Sequence, residues 1–355
     1  MKIDRTNSSR PVCDERLRLG DTALGLNDAS KALDNYEKGL AISQALANLV
    51  IGISEAQRDL SISTEKLGDI LMALGRPSDA LPYYKTALEI SESLAVADPN
   101  NTQAQSDVGY GHLKLGGVMS MQAQFDEATK HYRRALDLRL ILASKNPENA
   151  GVKTEAYRGH FLLGESMFSD AKFDDALVQF KSAQGVLSEM LGKGWYSDPE
   201  AKIESYSIEE NKQQLNDYVW LCENATKATG DLEFVMSQEP RLVPRIMQLR
   251  IQSLSKSAKI EEAFSSADRF TAWVKERPGD QGENHYQAGC FYALCVAMDN
   301  SNLEKCVGSV IDNFEKAKEA KYLDASKLNL LQQNPSLISV RSHPKFASFA
   351  MSLGN

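Results

Sequence analysis

Disulfide frameworks need paired cysteines, and this chain of 355 residues has only Cys13, Cys222, Cys290, Cys295 and Cys306, odd in number and scattered. Such thiols read as reduced and mostly buried, in a cytoplasmic setting. Long apolar runs are also missing. The longest, Cys290 to Met298, is far too short to cross a bilayer, so no membrane contact is expected. The amino-terminal residues Met1-Lys2-Ile3-Asp4-Arg5-Thr6 are polar and show no apolar core of a signal peptide. No block of clustered Lys and Arg occurs, and the formal net charge is −8. A surface that neutralises phosphates is therefore not expected, which argues against nucleic acid and mildly favours a neutral or basic partner. Nucleophile elbow, phosphate loop, zinc-protease helix and paired-carboxylate motif are all lacking, so neither an enzyme nor a cofactor or metal site is expected.

What is present is a repeat. Gly20, Gly68, Gly116 and Gly164 stand 48 residues apart, each after a leucine: Leu19, Leu67, Leu115 and Leu163. Twelve residues on come Ala32, Ala80, Ala128 and Ala176, then four further an aromatic ring, Tyr36, Tyr84, Tyr132 or Phe180. Three beyond that stands Gly39, Ala87, Ala135 or Ala183. Self-similarity at a fixed period marks a stacked-repeat architecture.

Each unit carries two stretches with helical apolar spacing. Ala80, Tyr84, Ala87, Ile90 and Leu94 share one helix face, as do Ala128, Tyr132, Ala135, Leu138 and Leu142. Leu67 and Leu71 match Leu115 and Met119 in the first stretch. Helices paired as a hairpin lie about 8–10 Å apart, and small residues permit the close end of that range. The aromatic ring is then expected to fill the adjacent hole. Gly75-Arg76-Pro77-Ser78-Asp79 supplies a turn with proline at a first helical position, and Asp98-Pro99 and Asn146-Pro147 close units two and three. Asp126, Glu127, Asp174 and Asp175 put negative charge at helix starts. Helices of about 20 residues follow.

This order of glycine, small residue, aromatic and small residue resembles the tetratricopeptide repeat, over residues 11 to 192. The 48-residue period is longer than the family's usual one. It is similar to the long repeats of bacterial arrays, some of them attached to serine/threonine protein kinases, although no kinase motif occurs here. The resemblance implies an all-α fold, a right-handed superhelix of antiparallel helix hairpins. The expected organisation is a disordered or frayed segment over 1–10, then four repeats at about 11–54, 55–101, 102–149 and 150–192. A junction follows over 193–199, where Trp195 stands in place of the next proline. Degenerate hairpins are expected over 200–330, with helical patterning over Lys212 to Ala225, Pro244 to Ser255, Ile260 to Val274, Tyr286 to Ala297 and Leu303 to Lys318. A capping segment closes the chain over 331–355.

In the family the first helices line a concave groove that holds a partner peptide. The matching positions are Ile62, Glu65, Asp69 and Met72 in unit two, and Tyr110, Leu113, Gly117 and Ser120 in unit three. Unit four contributes Arg158, Phe161, Glu165 and Phe168. Some members clamp a terminal carboxylate with basic and asparagine side chains. The equivalent positions here, Leu17, Asp21, Lys66, Tyr110 and Lys114, keep only two lysines, and Asp21 repels such a ligand. His112 and His160 recur at matching places in neighbouring repeats, too far apart to share a metal, and read as hydrogen-bonded and partly buried. Trp195, Trp220 and Trp273 are expected to fill the irregular core of the second half.

The expectation is a non-catalytic scaffold or adaptor for a protein or peptide partner. A self-associating regulatory module of a kinase system, with a homo-oligomer as its form, is the alternative. A small-molecule sensor or enzyme with a pocket at the Trp195 junction is a third reading.

Overall fold

Helix length and turn chemistry set the architecture before any long-range contact does. In the computed structural model, residues 4–26, 28–49, 53–195, 202–203, 206–277, 279, 281–296 and 303–353 are described. Eight helices of 20 to 22 residues fill the repeat region. They are α1 (Asp4–Gly25), α2 (Ala29–Leu49), α3 (Ser54–Ala73), α4 (Pro77–Ala97), α5 (Thr102–Met121), α6 (Phe125–Lys145), α7 (Ala150–Ser169) and α8 (Phe173–Gly192). Consecutive helices pair as antiparallel hairpins, one per repeat. Their turns use one left-handed residue at the same place in units two, three and four, Gly75, Ala123 and Ala171. The following amide reaches back to close the helix, Arg76 to the Leu71 carbonyl at 2.8 Å and Lys172 to that of Met167 at 2.9 Å.

The described residues fall into two compact units, one of residues 1–120 and 127–152, the other of 121–126 and 153–355. In the first unit the glycines answer to the rings. An ideal Cβ on Gly20, Gly68 or Gly116 would come within 2.4, 2.7 or 2.6 Å of the Tyr36, Tyr84 or Tyr132 ring. The aromatic therefore lies directly on the glycine, which is a closer fit than a ring in an adjacent hole. Ala32, Ala80 and Ala128 are fully buried beside these rings. Leu67 and Leu115 are buried too, whereas Leu19 is 41% exposed, because among the described residues no earlier hairpin lies against it. The frayed segment expected over 1–10 is corrected for residues 4–10, which belong to α1. Arg10 fixes that turn through ion pairs with Glu55 and with Asp59, the latter at 2.8 Å. Residues 1–3 lie outside the described residues.

The second unit repeats the contact once in α7 and α8, where an ideal Cβ on Gly164 would come within 2.8 Å of the Phe180 ring and Ala176 and Ala183 are fully buried. Trp195 follows a left-handed Gly194 and is covered by the Lys193 ammonium at 5.0 Å; residues 196–199 of the expected junction lie outside the described residues. Two residues on each side, Lys202–Ile203 and Tyr206–Ser207, pair as an antiparallel ribbon, the one strand pairing among the described residues. Then come α9 (Ile208–Glu223), α10 (Ala225–Gly230), α11 (Leu232–Met236), α12 (Val243–Lys256), α13 (Ile260–Lys275), α14 (Gln281–Val296) and α15 (Leu303–Glu319). The chain closes with α16 (Leu328–Gln333) and α17 (Pro344–Leu353). α9 begins four residues before the patterning starts at Lys212, because Ser207 and Glu210 form a reciprocal capping box.

Two of these hairpins are built on the repeat's plan. In α14 and α15, a Cβ on Gly289 would run into the Phe314 ring, and Ala317 is fully buried. Glycine and ring are 25 residues apart here and 16 in the repeats, nine residues more. In α12 and α13 the turn again has a left-handed residue, Ala258, and Lys259 closes it onto Leu254 at 2.9 Å. That register puts Ile251 where the repeats have glycine and Ala267 where they have the ring, and both are fully buried. Large and small have exchanged sides, which keeps the volume between the helices filled. The closing segment packs on α15, with the Phe346 and Phe349 rings 6.2 and 5.8 Å from that of Phe314.

Candidate functional site

Two rows of ion pairs tie α1, α3 and α5 together in the first unit. Arg10 pairs with Asp59, and one period later Arg58 pairs with Asp107 at 2.7 Å. Eleven residues further along α1 and α3 the sense reverses, with Lys66 on Asp21 at 2.7 Å and Lys114 on Asp69 at 2.8 Å. Spacings of 10–21 and 58–69 are close to three helical turns, so both rows share the first-helix face. Tyr36 and Tyr84 donate their hydroxyls to the same carboxylates, Asp21 at 2.7 Å and Asp69 at 2.6 Å. Each of these carboxylates thus joins the ring over its own glycine to the next repeat's lysine. Burial and the neighbouring carboxylate push both tyrosine hydroxyls well above their usual range, so they stay protonated donors. Burial also raises Glu65, with Lys114 at 3.8 Å pulling the other way.

These contacts change how the expected groove residues read. Ile62, Met72, Tyr110, Gly117 and Ser120 are half-buried on the first-helix face, and the Arg139 guanidinium lies over the Tyr110 ring at 5.3 Å. Glu65 and Asp69 are engaged by Lys114. Leu113 is only 8% exposed and belongs to the core, a correction to its expected place on a contact surface. The two lysines left from the carboxylate clamp are both spent on aspartates, and Leu17 packs against the core below Gly39.

In the second unit, α9 covers the expected stripe. Phe161, Phe168 and Phe180 close around Tyr218, whose ring stacks on Phe180 at 4.5 Å, and the Tyr218 hydroxyl donates to Glu165 at 2.9 Å. Phe168, 6% exposed, is corrected from contact surface to core, since an aromatic ring on α9 supplies the cover that a peptide was expected to give. Arg158 stays half-buried, 3.8 Å from Glu155. Trp273 is buried on Phe270 at 5.4 Å, and Trp220 stacks on Phe234 at 6.2 Å.

The recurrent histidines make a second cross-hairpin contact. His112 meets His131 through their Nδ1 atoms at 3.1 Å, and His160 meets Gln179 at 2.9 Å. Arg16 to Asn35 at 3.2 Å and His285 to Asn313 at 3.0 Å occupy the same relative positions. Burial lowers His112 to about 4 and lowers His131 as well, so the pair is neutral near pH 7. The five cysteines are free and buried, and burial pushes Cys222, Cys290 and Cys306 up to about 12. No group of three or more His, Cys, Asp or Glu placed to hold a metal occurs among the described residues. No helix among them is long and apolar enough to cross a membrane.

The sequence reading missed the ion-pair rows. Their signal is a charge pair recurring at one period plus one residue, Arg10–Asp59 and Arg58–Asp107, and at one period minus three, Asp21–Lys66 and Asp69–Lys114.

Residues 65–94 match the family model of the tetratricopeptide repeat. That span runs from α3 to α4 and holds Gly68, Ala80, Tyr84 and Ala87, so the match falls on the second hairpin. Among solved structures 55 chains match. One is the Rap conjugation gene regulator of the plasmid pLS20 in complex with the Phr* peptide, 14% identical over 96% of this chain and 95% of that one, with a TM-score of 0.37. No curated protein sequence matches.

Proposed function

We propose that this chain is a non-catalytic interaction scaffold, of the long-repeat bacterial kind found attached to some protein kinases, and that its first-helix faces receive a peptide segment of a protein partner in the cytoplasm. The observation that carries this reading is the double row of ion pairs on α1, α3 and α5. Exposed ion pairs contribute little stability, about 0–1 kcal/mol each. Their use here is to fix three parallel helices in one register, so that a partner meets a surface already ordered and spends less of its binding energy on ordering it. Between the rows lie Ile62 and Tyr110, apolar anchors of the type that dominate peptide recognition.

The test is affinity capture from the native host with the full chain and with an Ile62→Asp/Tyr110→Ser variant. Loss of the captured partner in the variant, with helix content and melting temperature retained, is the expected result. An unchanged partner set would remove the first-helix face of the first unit from the binding surface.

A further inference from the structure

In the second unit a cavity of about 690 Å³ opens between the amino-terminal ends of α12 and α14 and the carboxyl-terminal end of α13. Among the described residues three guanidiniums, Arg241, Arg245 and Arg277, line it against one carboxylate, Glu283. The three are not equivalent. Arg241 is held by Asp217 at 2.8 Å and Glu239 at 3.1 Å. Arg245 shares Asp217 at 3.4 Å and lies over the Tyr218 ring at 5.7 Å. Arg277 meets no carboxylate among the described residues. Its guanidinium lies 4.8 Å over the ring of Trp273, whose buried indole N–H also finds no acceptor there. The Arg277 backbone is anchored, because the Gln281 carboxamide donates to its carbonyl and to that of Val274.

The rest of the lining is as informative. Gln248 on α12 and Asn284 and Gln287 on α14 are half-buried, and none has a side-chain hydrogen-bond partner among the described residues. Each carboxamide offers a donor and an acceptor, the complement of one peptide unit. In the first unit the corresponding first-helix face is already satisfied by its own lysines, tyrosines and aspartates. Here the polar groups are left open, and half-buried polar groups gain most from a ligand that pairs them. A guanidinium flattened on an aromatic face is pre-oriented for the planar, two-pronged contact that a carboxylate accepts.

The geometry points to this cavity as a subsite for an acidic, extended peptide, its carboxylate on Arg277 and Arg245 and its main chain along Gln248, Asn284 and Gln287. The inference rests on the reading that first-helix faces receive the partner, and it adds the ligand's chemistry. It also reverses locally what the net charge of −8 suggests, a basic or neutral partner.

The probe is an array of random heptapeptides displayed once with free carboxyl termini and once as terminal amides, incubated with the full chain. Selected peptides are expected to be enriched in Asp and Glu if a side chain supplies the carboxylate, or to bind only in the free-acid array if the terminus does. For the best peptide in solution, Arg277→Gln and Asn284→Ala are each expected to weaken binding at least tenfold, while Ile62→Asp changes it less than twofold. Both substituted positions lie at a solvent-open wall, and a melting curve for each variant checks its fold. Selection without acidic bias and equal on both arrays overturns the carboxylate assignment, as does indifference to Arg277→Gln. Peptides sensitive to Ile62→Asp alone overturn this cavity while leaving the scaffold reading in place. An array with no selected peptide overturns both.

Discussion

Two adjacent glycines of one helix are expected to respond to the same substitution with opposite signs. Alanine in place of glycine inside a helix gains about 1 kcal/mol from backbone entropy alone. At Gly117 the added methyl meets nothing nearer than the Tyr132 hydroxyl oxygen at 3.9 Å, an ordinary contact, so Gly117→Ala should stabilise by about that amount. At Gly116 the same carbon lands 2.6 Å from one ring carbon of Tyr132 and 2.7 Å from the next. Carbon atoms rest about 3.5–4.0 Å apart, so ring or helix must retreat by about 1 Å. Tyr132 is buried between α5 and α6 and has little room to move. Overpacking of this kind costs about 1–3 kcal/mol, and the clash lies toward the upper end. After the helical gain, Gly116→Ala should be destabilised by about 1–2 kcal/mol, leaving the two variants roughly 2–3 kcal/mol apart. Urea denaturation followed by far-ultraviolet circular dichroism, with the two variants compared at a shared slope, reads this difference directly. A Gly116→Ala protein as stable as Gly117→Ala would refute the claim that the ring lies on the glycine. Placing Gly116→Ala in a Tyr132→Ala background should restore the helical gain.

Asp69 is expected to behave as part of the hairpin and not as a free groove charge. Asp69→Ala strands the buried Tyr84 hydroxyl, costing about 1–3 kcal/mol, whereas in a Tyr84→Phe background the same change should cost less than about 1 kcal/mol; equal costs in a double-mutant cycle would show that the two do not interact. The histidine pair predicts the pH response. The ordinary value of 6.5 is lowered to about 4 at His112 and is also lowered at His131, so below pH 6.5 the unfolded chain binds more protons than the folded one. The neutral pair's contribution is therefore complete above pH 6.5 and is lost as pH falls toward 4, with a slope set by that proton difference. Asp59 and Glu65, raised by burial, act in the opposite sense over part of the range, so the informative quantity is the difference between the natural chain and a His112→Gln/His131→Gln variant. Denaturation midpoints that fall equally in both proteins between pH 7 and 4.5 would refute the assignment.

How much of this was legible depends on whether a contact is made along the chain or across it. The hairpins could be read from residues alone, since Gly68, Ala80, Tyr84 and Ala87 meet within one unit and the demand recurs every 48 residues. The groove could not. Leu113 and Phe168 belong to the same stripe as Ile62 and Tyr110, yet whether such a side chain faces solvent or core depends on what packs over it, and for Phe168 that is Tyr218 on α9. The α12 and α13 hairpin hid for a related reason. Filling an interhelical space fixes the total volume and not which helix supplies it, so Ile251 with Ala267 does what glycine with tyrosine does elsewhere and leaves no shared letters. In α14 and α15 the glycine and ring survive, but nine extra residues between them break the spacing that would have revealed them.

Period, helix length and turn positions were thus determined by the sequence itself, because each follows from local backbone preference and from side chains a fixed number of residues apart. Which charges are spent on neighbouring repeats, which aromatics are covered, and which carboxamides and arginines are left open around α12 and α14 were decided by the tertiary structure. Those outcomes depend on distances between helices that the chain brings together only on folding.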